Sequence, residues 1–387
     1  MRLSGREQRA FRRALHSYDQ ARPTPHHESV CNAPLTNLYL GVDGQAAPCW
    51  LYWPHPPARW GTDRSLLDIW RGPELTALRA AHREARFPGG CGVCRHDIAT
   101  GNRPLAAAYD NEHDIGEFPT MLELELSNLC NLECVMCHGR LSSKIRKNRE
   151  KLPPITSPYD ESFVEQLEDF LPHLEEIRFN GGEPLLQPIV HQITERIGTT
   201  RPDLAVTVAT NGTVMNARVR RMLDRCNVHI NLSLDSLIPE RYEDIRVHAN
   251  FRRVMDNFDV FHAYCAQNDR RLVIMVNPMR SNWEEMGAYV RWCHERGVRL
   301  WFNTVREPAH LALHNLAKPE LDQIIRTLRA ESLPSPLDGP GGDICRGNIE
   351  VFQRFVDTQL VTWRDEASPA SPRAVQVSLT RGVAAST

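Results

Sequence analysis

From Met121 to Val305 the chain repeats one pattern six times, a short strand-like stretch followed by a longer one with helical periodicity. The strand candidates are Met121–Ser127, Glu176–Asn180, Ala205–Thr210, Val228–Leu234, Leu272–Asn277 and Leu300–Val305. Helical stretches fall around 142–151, 160–171, 187–198, 216–225, 239–267 and 282–296. Six β/α units in series demand a parallel sheet, either open and doubly wound or closed part-way into a β/α barrel.

The strands choose between those forms. Strands buried on both faces read as nearly continuous apolar runs. Here Glu123, Glu125 and Ser127 alternate with leucines. Arg178 and Asn180 share one face of the next strand, and Asn231, Ser233 and Asp235 share one face of the fourth. A side-chain period of two puts each set on a single face. The helices between argue against a solvated antiparallel sheet, so the polar faces are expected to line a lumen. In β/α folds the active site lies at the C-terminal mouth of the strands. Glu125, near the end of the first strand, is the carboxylate placed there as a candidate to act on a substrate.

The chain has 387 residues, a net charge of −2 and 24% charged residues. That balance suits a globular protein with no pull toward nucleic acid or anionic membrane. No apolar run is long enough to span a bilayer. The N-terminus, MRLSGREQRAFRRALHSYDQAR, lacks the apolar core of a secretory signal and reads as a basic helical arm over 1–24, a transit peptide being the alternative. Residues 25–100 form a Cys-, Pro- and Trp-rich module with short strands at Asn37–Val42 and near Cys49–Trp53 and a helix from Leu66 to Arg86. So small a module needs a staple. The barrel is expected over 117–310, a helical extension over 311–364 with a helix at 319–331, and a disordered Ser/Ala/Pro-rich tail over 365–387. Eleven cysteines in a chain placed in the reducing cytoplasm read as metal ligands and buried thiols.

Directly after the first barrel strand comes LSNLCNLECVMCHG, with Cys130, Cys134 and Cys137 at C-x3-C-x2-C spacing. Structural zinc takes four ligands, and so does an ordinary iron–sulfur cluster. Three close thiolates imply a centre with an open position, unless His138 or a remote cysteine completes a zinc knuckle. The next three strands end in Gly181-Gly182-Glu183-Pro184, Thr210-Asn211-Gly212 and Ser233-Leu234-Asp235.

CNLECVMC, GGEP, TNG and SLD together resemble the radical S-adenosylmethionine (SAM) enzymes. The resemblance covers roughly 117–310 and implies a partial (β/α)6 TIM-like barrel. It implies that Cys130, Cys134 and Cys137 hold three irons of a [4Fe–4S] cluster and that SAM chelates the fourth. Reductive cleavage of SAM then yields a 5′-deoxyadenosyl radical that takes a hydrogen atom from the substrate. By the same resemblance Gly181, Gly182 and Glu183 meet the SAM amino group, and the backbone of Met136 faces the adenine. Asn211, Ser233 and Asp235 lie near the ribose or methionine moiety. Met136 stands where many members carry an aromatic residue.

Upstream, Cys31, Cys49, Cys91 and Cys94 close with C-x2-C. The stretches CNAPLTNLYLGVDGQAAPC and SLLDIWRGPELTALRAAHREARFPGGCGVC resemble the SPASM/twitch auxiliary-cluster module, here a small α+β unit ahead of the barrel as in one subfamily. That implies a second, fully protein-ligated [4Fe–4S] cluster suited to electron relay; a zinc ribbon with the same ligands is the alternative.

Cys226, Cys265 and Cys293 read as core thiols, and His26-His27 and His138 as surface or packing residues. Cys345, in the loop DGPGGDICRG, is a candidate hydrogen-atom donor at the barrel mouth, as an epimerase needs. Arg178 and Arg280 are candidate anion contacts. The expected activity is oxidation or epimerisation of a small natural-product or sugar-type metabolite, with a flavodoxin- or ferredoxin-type electron donor. Modification of a peptide side chain, a non-catalytic electron-transfer protein and a zinc-binding interaction protein are the alternatives.

Overall fold

One nine-stranded sheet runs through both cysteine-bearing parts of the chain. Its strands are β1 (Asn37–Leu40), β2 (Gln45–Ala47), β3 (Ala58–Arg59), β4 (Met121–Leu124), β5 (Glu176–Phe179), β6 (Ala205–Thr210), β7 (Asn227–Ser233), β8 (Leu272–Val276) and β9 (Arg299–Phe302). The computed structural model describes residues 5–22, 29–52, 56–61, 63–103, 105–110, 115–335 and 341–367. The strand order is β3-β2-β1-β4-β5-β6-β7-β8-β9. Every pair from β1–β4 to β8–β9 is parallel, while β2 and β3 pair antiparallel at one end.

The barrel strands fall where the alternation puts them, Ala205–Thr210 to the residue. Register sets Glu123 beside Arg178, Arg178 beside Thr207 and Thr207 beside His229. These side chains share the inner face. On the other face Leu122, Ile177, Val206, Val228 and Ile274 are fully buried and belong to one core that also takes in Leu38, Trp60 and Trp70 of the N-terminal module. Module and barrel thus share a core as well as a sheet.

Three local expectations need correction. The strand near Cys49–Trp53 is absent among the described residues; β2 lies earlier because the chain reverses at Asp43-Gly44 and pairs at once. Gly44 has φ +82°, and a Cβ there would come within 2.6 Å of the Trp60 carbonyl oxygen. The helix expected over Leu66–Arg86 is two, Leu66–Trp70 and Pro73–Arg83, because Pro73 cannot continue a helix but opens one. The long helix at 239–267 is also two, Pro239–Ile245 and Phe251–Asn268, the second capped by Asn250, whose side chain accepts from Arg253 N.

A helical segment from Gly342 to Glu366 covers the free edge of β9. Asn348 bridges that edge, accepting from Leu300 N at 2.7 Å and donating to Val298 O at 2.9 Å. Further on, Phe355 packs on Phe302, and Gln359 donates to Thr304. The segment therefore runs alongside β9 in the same direction. The tail expected from Asp365 starts inside this segment; 368–387 and the His26-His27 pair lie outside the described residues. No described helix is long and apolar enough to cross a membrane.

Candidate functional site

The loop carrying Cys130, Cys134 and Cys137 leaves β4 at the C-terminal mouth and is braced along its length. Asn128 Nδ2 donates to Gly139 O at 2.9 Å, and Ser142 Oγ to Leu132 O at 2.7 Å. Arg149 reaches the carbonyls of Cys134 and Cys137. The backbone amides of Glu133 and Val135 bond to Val247 O and Ile245 O, tying the loop to the chain after β7. Burial pushes the thiols of Cys130 and Cys137 up to about 11 and about 12. A bound cation reverses that balance, since a coordinating thiol gives up its proton.

The glycine turn after β5 rests on this loop. Gly181 and Gly182 have φ of +72° and +52°, and a Cβ on Gly182 would lie 2.5 Å from Leu129 O. A Cβ on Gly181 would meet Glu125 Cβ at 2.8 Å. Glu183 follows, wholly buried. Its carboxylate accepts from Thr210 Oγ1 (2.8 Å), Asn211 N (2.7 Å) and Leu185 N (3.2 Å). Burial raises the Glu183 carboxyl to about 7 against the pull of those donors. Glu183 thus locks the GGEP turn to the TNG turn. Asn211 Nδ2 donates to Asn131 at 3.0 Å and lies 3.9 Å from Cys130 Sγ.

Asp235, at the end of the fourth barrel strand, is also fully buried. Oδ1 accepts from the backbone and side chain of Asn277, and Oδ2 from Arg246 Nε at 2.7 Å. Arg246 Nη1 lies 3.9 Å from Cys134 Sγ. Burial and this guanidinium act oppositely on Cys134, burial raising the thiol. Glu183 and Asp235, expected against SAM, thus have most of their acceptor capacity taken by protein donors and brace the mouth from within. Ser233 is half-buried on the strand before Asp235, and Met136 packs against Ile245, Met279 and Val305. Sequence reasoning missed Arg246. No local signal marks it: it follows the helix end at Ile245 and meets Asp235 across the turn between the strand and that helix.

Cys31, Cys49, Cys91 and Cys94 all line one apolar cavity together with Tyr52, His82 and Tyr109. Burial pushes Cys31 up to about 11 and Cys91 up to about 12. His82 Nε2 lies 3.4 Å from Cys91 Sγ, a neighbour sequence reasoning did not find. Among the described residues no three His, Cys, Asp or Glu groups stand close enough to hold a single metal ion. The four thiols nonetheless line one cavity. Tyr109 carries this cavity to the lumen: its hydroxyl donates to Glu123 Oε2 at 2.5 Å. Asn37 donates to the same oxygen and to Pro48 O beside Cys49. Burial raises the carboxyls of Glu123 and Glu125, and Tyr39 donates to Glu125 Oε2 at 2.6 Å.

The family model for the radical SAM superfamily matches residues 124–293, and that for the SPASM iron–sulfur cluster-binding domain matches 31–96. Residues 124–293 are therefore a radical SAM domain. Similar proteins include a GTP 3′,8-cyclase of Rhizobium etli (strain CIAT 652), 29% identical over 215 residues, 52% of this chain and 56% of that one. A GTP 3′,8-cyclase of Klebsiella pneumoniae subsp. pneumoniae is 25% identical over 238 residues, 58% of this chain and 68% of that one. The chain spans little more than half the length of the first of these relatives. Among solved structures, Streptococcus suis SuiB bound to S-adenosylmethionine matches with 15% identity and TM-score 0.40, over 61% of this chain and 49% of that one. Native anSMEcpe with bound AdoMet matches with 16% identity and TM-score 0.40, over 54% of this chain and 58% of that one.

In a radical SAM barrel the working end is the mouth, and this excludes Cys345 from the site. Cys345 lies almost one turn before Asn348, which sits at the start of β9, and the helix runs from there toward the mouth. Cys345 is buried at the opposite end of the barrel, 1% exposed. Glu125, by contrast, lies under Gly181 beside the cysteine loop and is only half-buried. Arg178 is committed to Glu176 at 2.8 Å, with Glu123 at 3.9 Å. Cys226, Cys265 and Cys293 are buried in the core, as expected.

Proposed function

We propose that this chain is a radical SAM enzyme that oxidises a small, polar metabolite at the barrel mouth, with its N-terminal thiols serving an auxiliary iron–sulfur cluster. Cys130, Cys134 and Cys137 would hold a [4Fe–4S] cluster with SAM on the open iron, a pair that supplies a 5′-deoxyadenosyl radical when bound. Cys31, Cys49, Cys91 and Cys94 would hold a second cluster able to take up an electron. The observation that carries the reading is the four-thiol cavity set beside β4, the strand that leads into the cysteine loop, with Tyr109 and Asn37 bonded to Glu123 of that strand.

The chain's own groups have separate tasks. The glycines let the GGEP backbone approach a ligand on the cysteine loop, and Asn211 and Ser233 stand beside it. Glu125, raised by burial and still open on one side, would accept the hydroxyl or amine proton as the substrate, having given up a hydrogen atom, also gives up an electron, for which the N-terminal cluster would be the acceptor. The exclusion of Cys345 removes the hydrogen donor that epimerisation needs, which favours oxidation. The substrate's polar character rests on the lumen itself, lined by Glu123, Glu125, Arg178, Asn231 and Asn277. The cyclase relatives are named for action on GTP, a polar small molecule of the same broad kind. A low-potential flavodoxin- or ferredoxin-type donor and a reducing, cytoplasmic setting belong to the same proposal.

The test is anaerobic reconstitution, with iron and sulfide counts and an assay for 5′-deoxyadenosine with dithionite and SAM. The expected wild-type result is about eight irons per chain and 5′-deoxyadenosine. Replacing Cys130, Cys134 and Cys137 with alanine is expected to halve the iron and abolish the nucleoside. Cleavage retained in that triple variant overturns the assignment.

A further inference from the structure

On the outer side of the N-terminal module, across the short helix Ala33–Thr36 from the cysteine cavity, lies a second cleft of about 330 Å³. That volume is within the range of small-molecule sites. Its walls carry Arg71, Arg79 and Arg83 around Trp70, with Glu117 at the rim. We infer that this cleft binds an oxyanion, the phosphate or carboxylate of a small ligand whose apolar part rests on the exposed Ile115.

Three observations carry the inference. Arg79 is pre-organised: Nε donates to Pro34 O at 2.9 Å, Nη2 to Trp70 O at 2.8 Å, and the guanidinium lies 4.1 Å over the Trp70 ring. Its remaining nitrogen has no partner among the described residues. A guanidinium held in place by neutral carbonyls loses little freedom when it grips an anion.

Next, Arg83 stands one turn beyond Arg79 on the helix Pro73–Arg83. Like charges at that spacing repel. Neither residue has an acidic partner among the described residues. Burial lowers the Arg79 guanidinium to about 10, with Arg83 acting in the same direction. Two uncompensated cations converging on one cleft are what an anion would relieve.

Third, Arg71 completes the ring of charge and can open. Its guanidinium pairs with Glu117 at 3.0 Å and lies 5.6 Å over the Phe118 ring, and both members of the ion pair are exposed. Glu117 also lines the cleft, so an incoming anion competes with its carboxylate for Arg71.

The experiment is equilibrium dialysis of the reconstituted full chain against radiolabelled inorganic pyrophosphate and, in a second arm, radiolabelled succinate, at fixed ionic strength. Saturable binding is expected in at least one arm. Binding of pyrophosphate alone assigns a phosphate-bearing ligand, and of succinate alone a carboxylate-bearing one. Arg79→Gln and Arg83→Gln should each weaken binding by about tenfold or more. Arg83→Lys should keep part of it. Arg83 is exposed, so its variant folds even if Arg79→Gln does not. Binding in neither arm, or binding that Arg83→Gln leaves unchanged, overturns the inference.

Discussion

Arg246 Nε donates to Asp235 Oδ2 at 2.7 Å while Nη1 of the same guanidinium lies 3.9 Å from Cys134 Sγ. A buried acid thus holds a buried base against a thiol of the cysteine loop. Removing one member of such a pair leaves the other charge uncompensated. Asp235→Asn is expected to destabilise the protein by about 3–5 kcal/mol, read by urea denaturation. A change within experimental scatter would show that Arg246 needs no counter-charge.

The glycine turn makes a second demand. Gly182→Ala places a methyl 2.5 Å from Leu129 O, a backbone atom of the cysteine loop, at a φ that disfavours side chains. The turn must lift and the loop must move. We expect a loss of at least ~2 kcal/mol and of the iron bound by Cys130, Cys134 and Cys137, with the N-terminal iron retained. Iron counts matching wild type would contradict the close approach.

Asp97 supplies a pH dependence. It is 6% exposed, and Oδ2 has no hydrogen-bond partner. Burial raises its carboxyl from 3.8 to about 6, against the opposing charges of Arg306 and His96. The folded state therefore holds this proton more tightly than the unfolded chain. That advantage is complete below pH 3.8 and is lost as pH rises through about 6. Asp97→Asn stays neutral throughout. Its stability relative to wild type should climb across that window and level off above it, with a gain on the order of 3 kcal/mol. A difference independent of pH would show that Asp97 does not titrate there.

Cys345 gives a negative prediction. Buried beyond the start of β9, it cannot reach a substrate at the mouth. Cys345→Ala should lower stability by about 1 kcal/mol and leave both SAM cleavage and product formation intact. Loss of product with cleavage preserved would restore it as a hydrogen donor.

Much of this was legible in the chain. Alternation placed all six barrel strands, because period-two polarity and helical periodicity are local signals. The cysteine, glycine and asparagine motifs fell at strand ends for the same reason. Pro73 was a readable breaker that a uniform helix over Leu66–Arg86 passed over. Cys345 looked available because a glycine-rich loop leaves a thiol's position undetermined; only the pairing of Asn348 with the edge of β9 fixes it. Arg246, Tyr109 and His82 were not legible, since each matters through a partner nine or more residues away in another element. The parallel pairing of β1 with β4 is also non-local, and no short-range pattern announces it.

That pairing has a practical consequence. β1 lies inside the sheet, with β2 on one side and β4 on the other. A cut between residues 100 and 121 would not detach an appendage from a linker. It would pull an interior strand from the sheet, strip Tyr39 and Asn37 from the lumen wall, and leave β4 as a raw edge open to pairing with other chains. The two cysteine sets are joined as two points on one girder, and neither can be transplanted without the span between them.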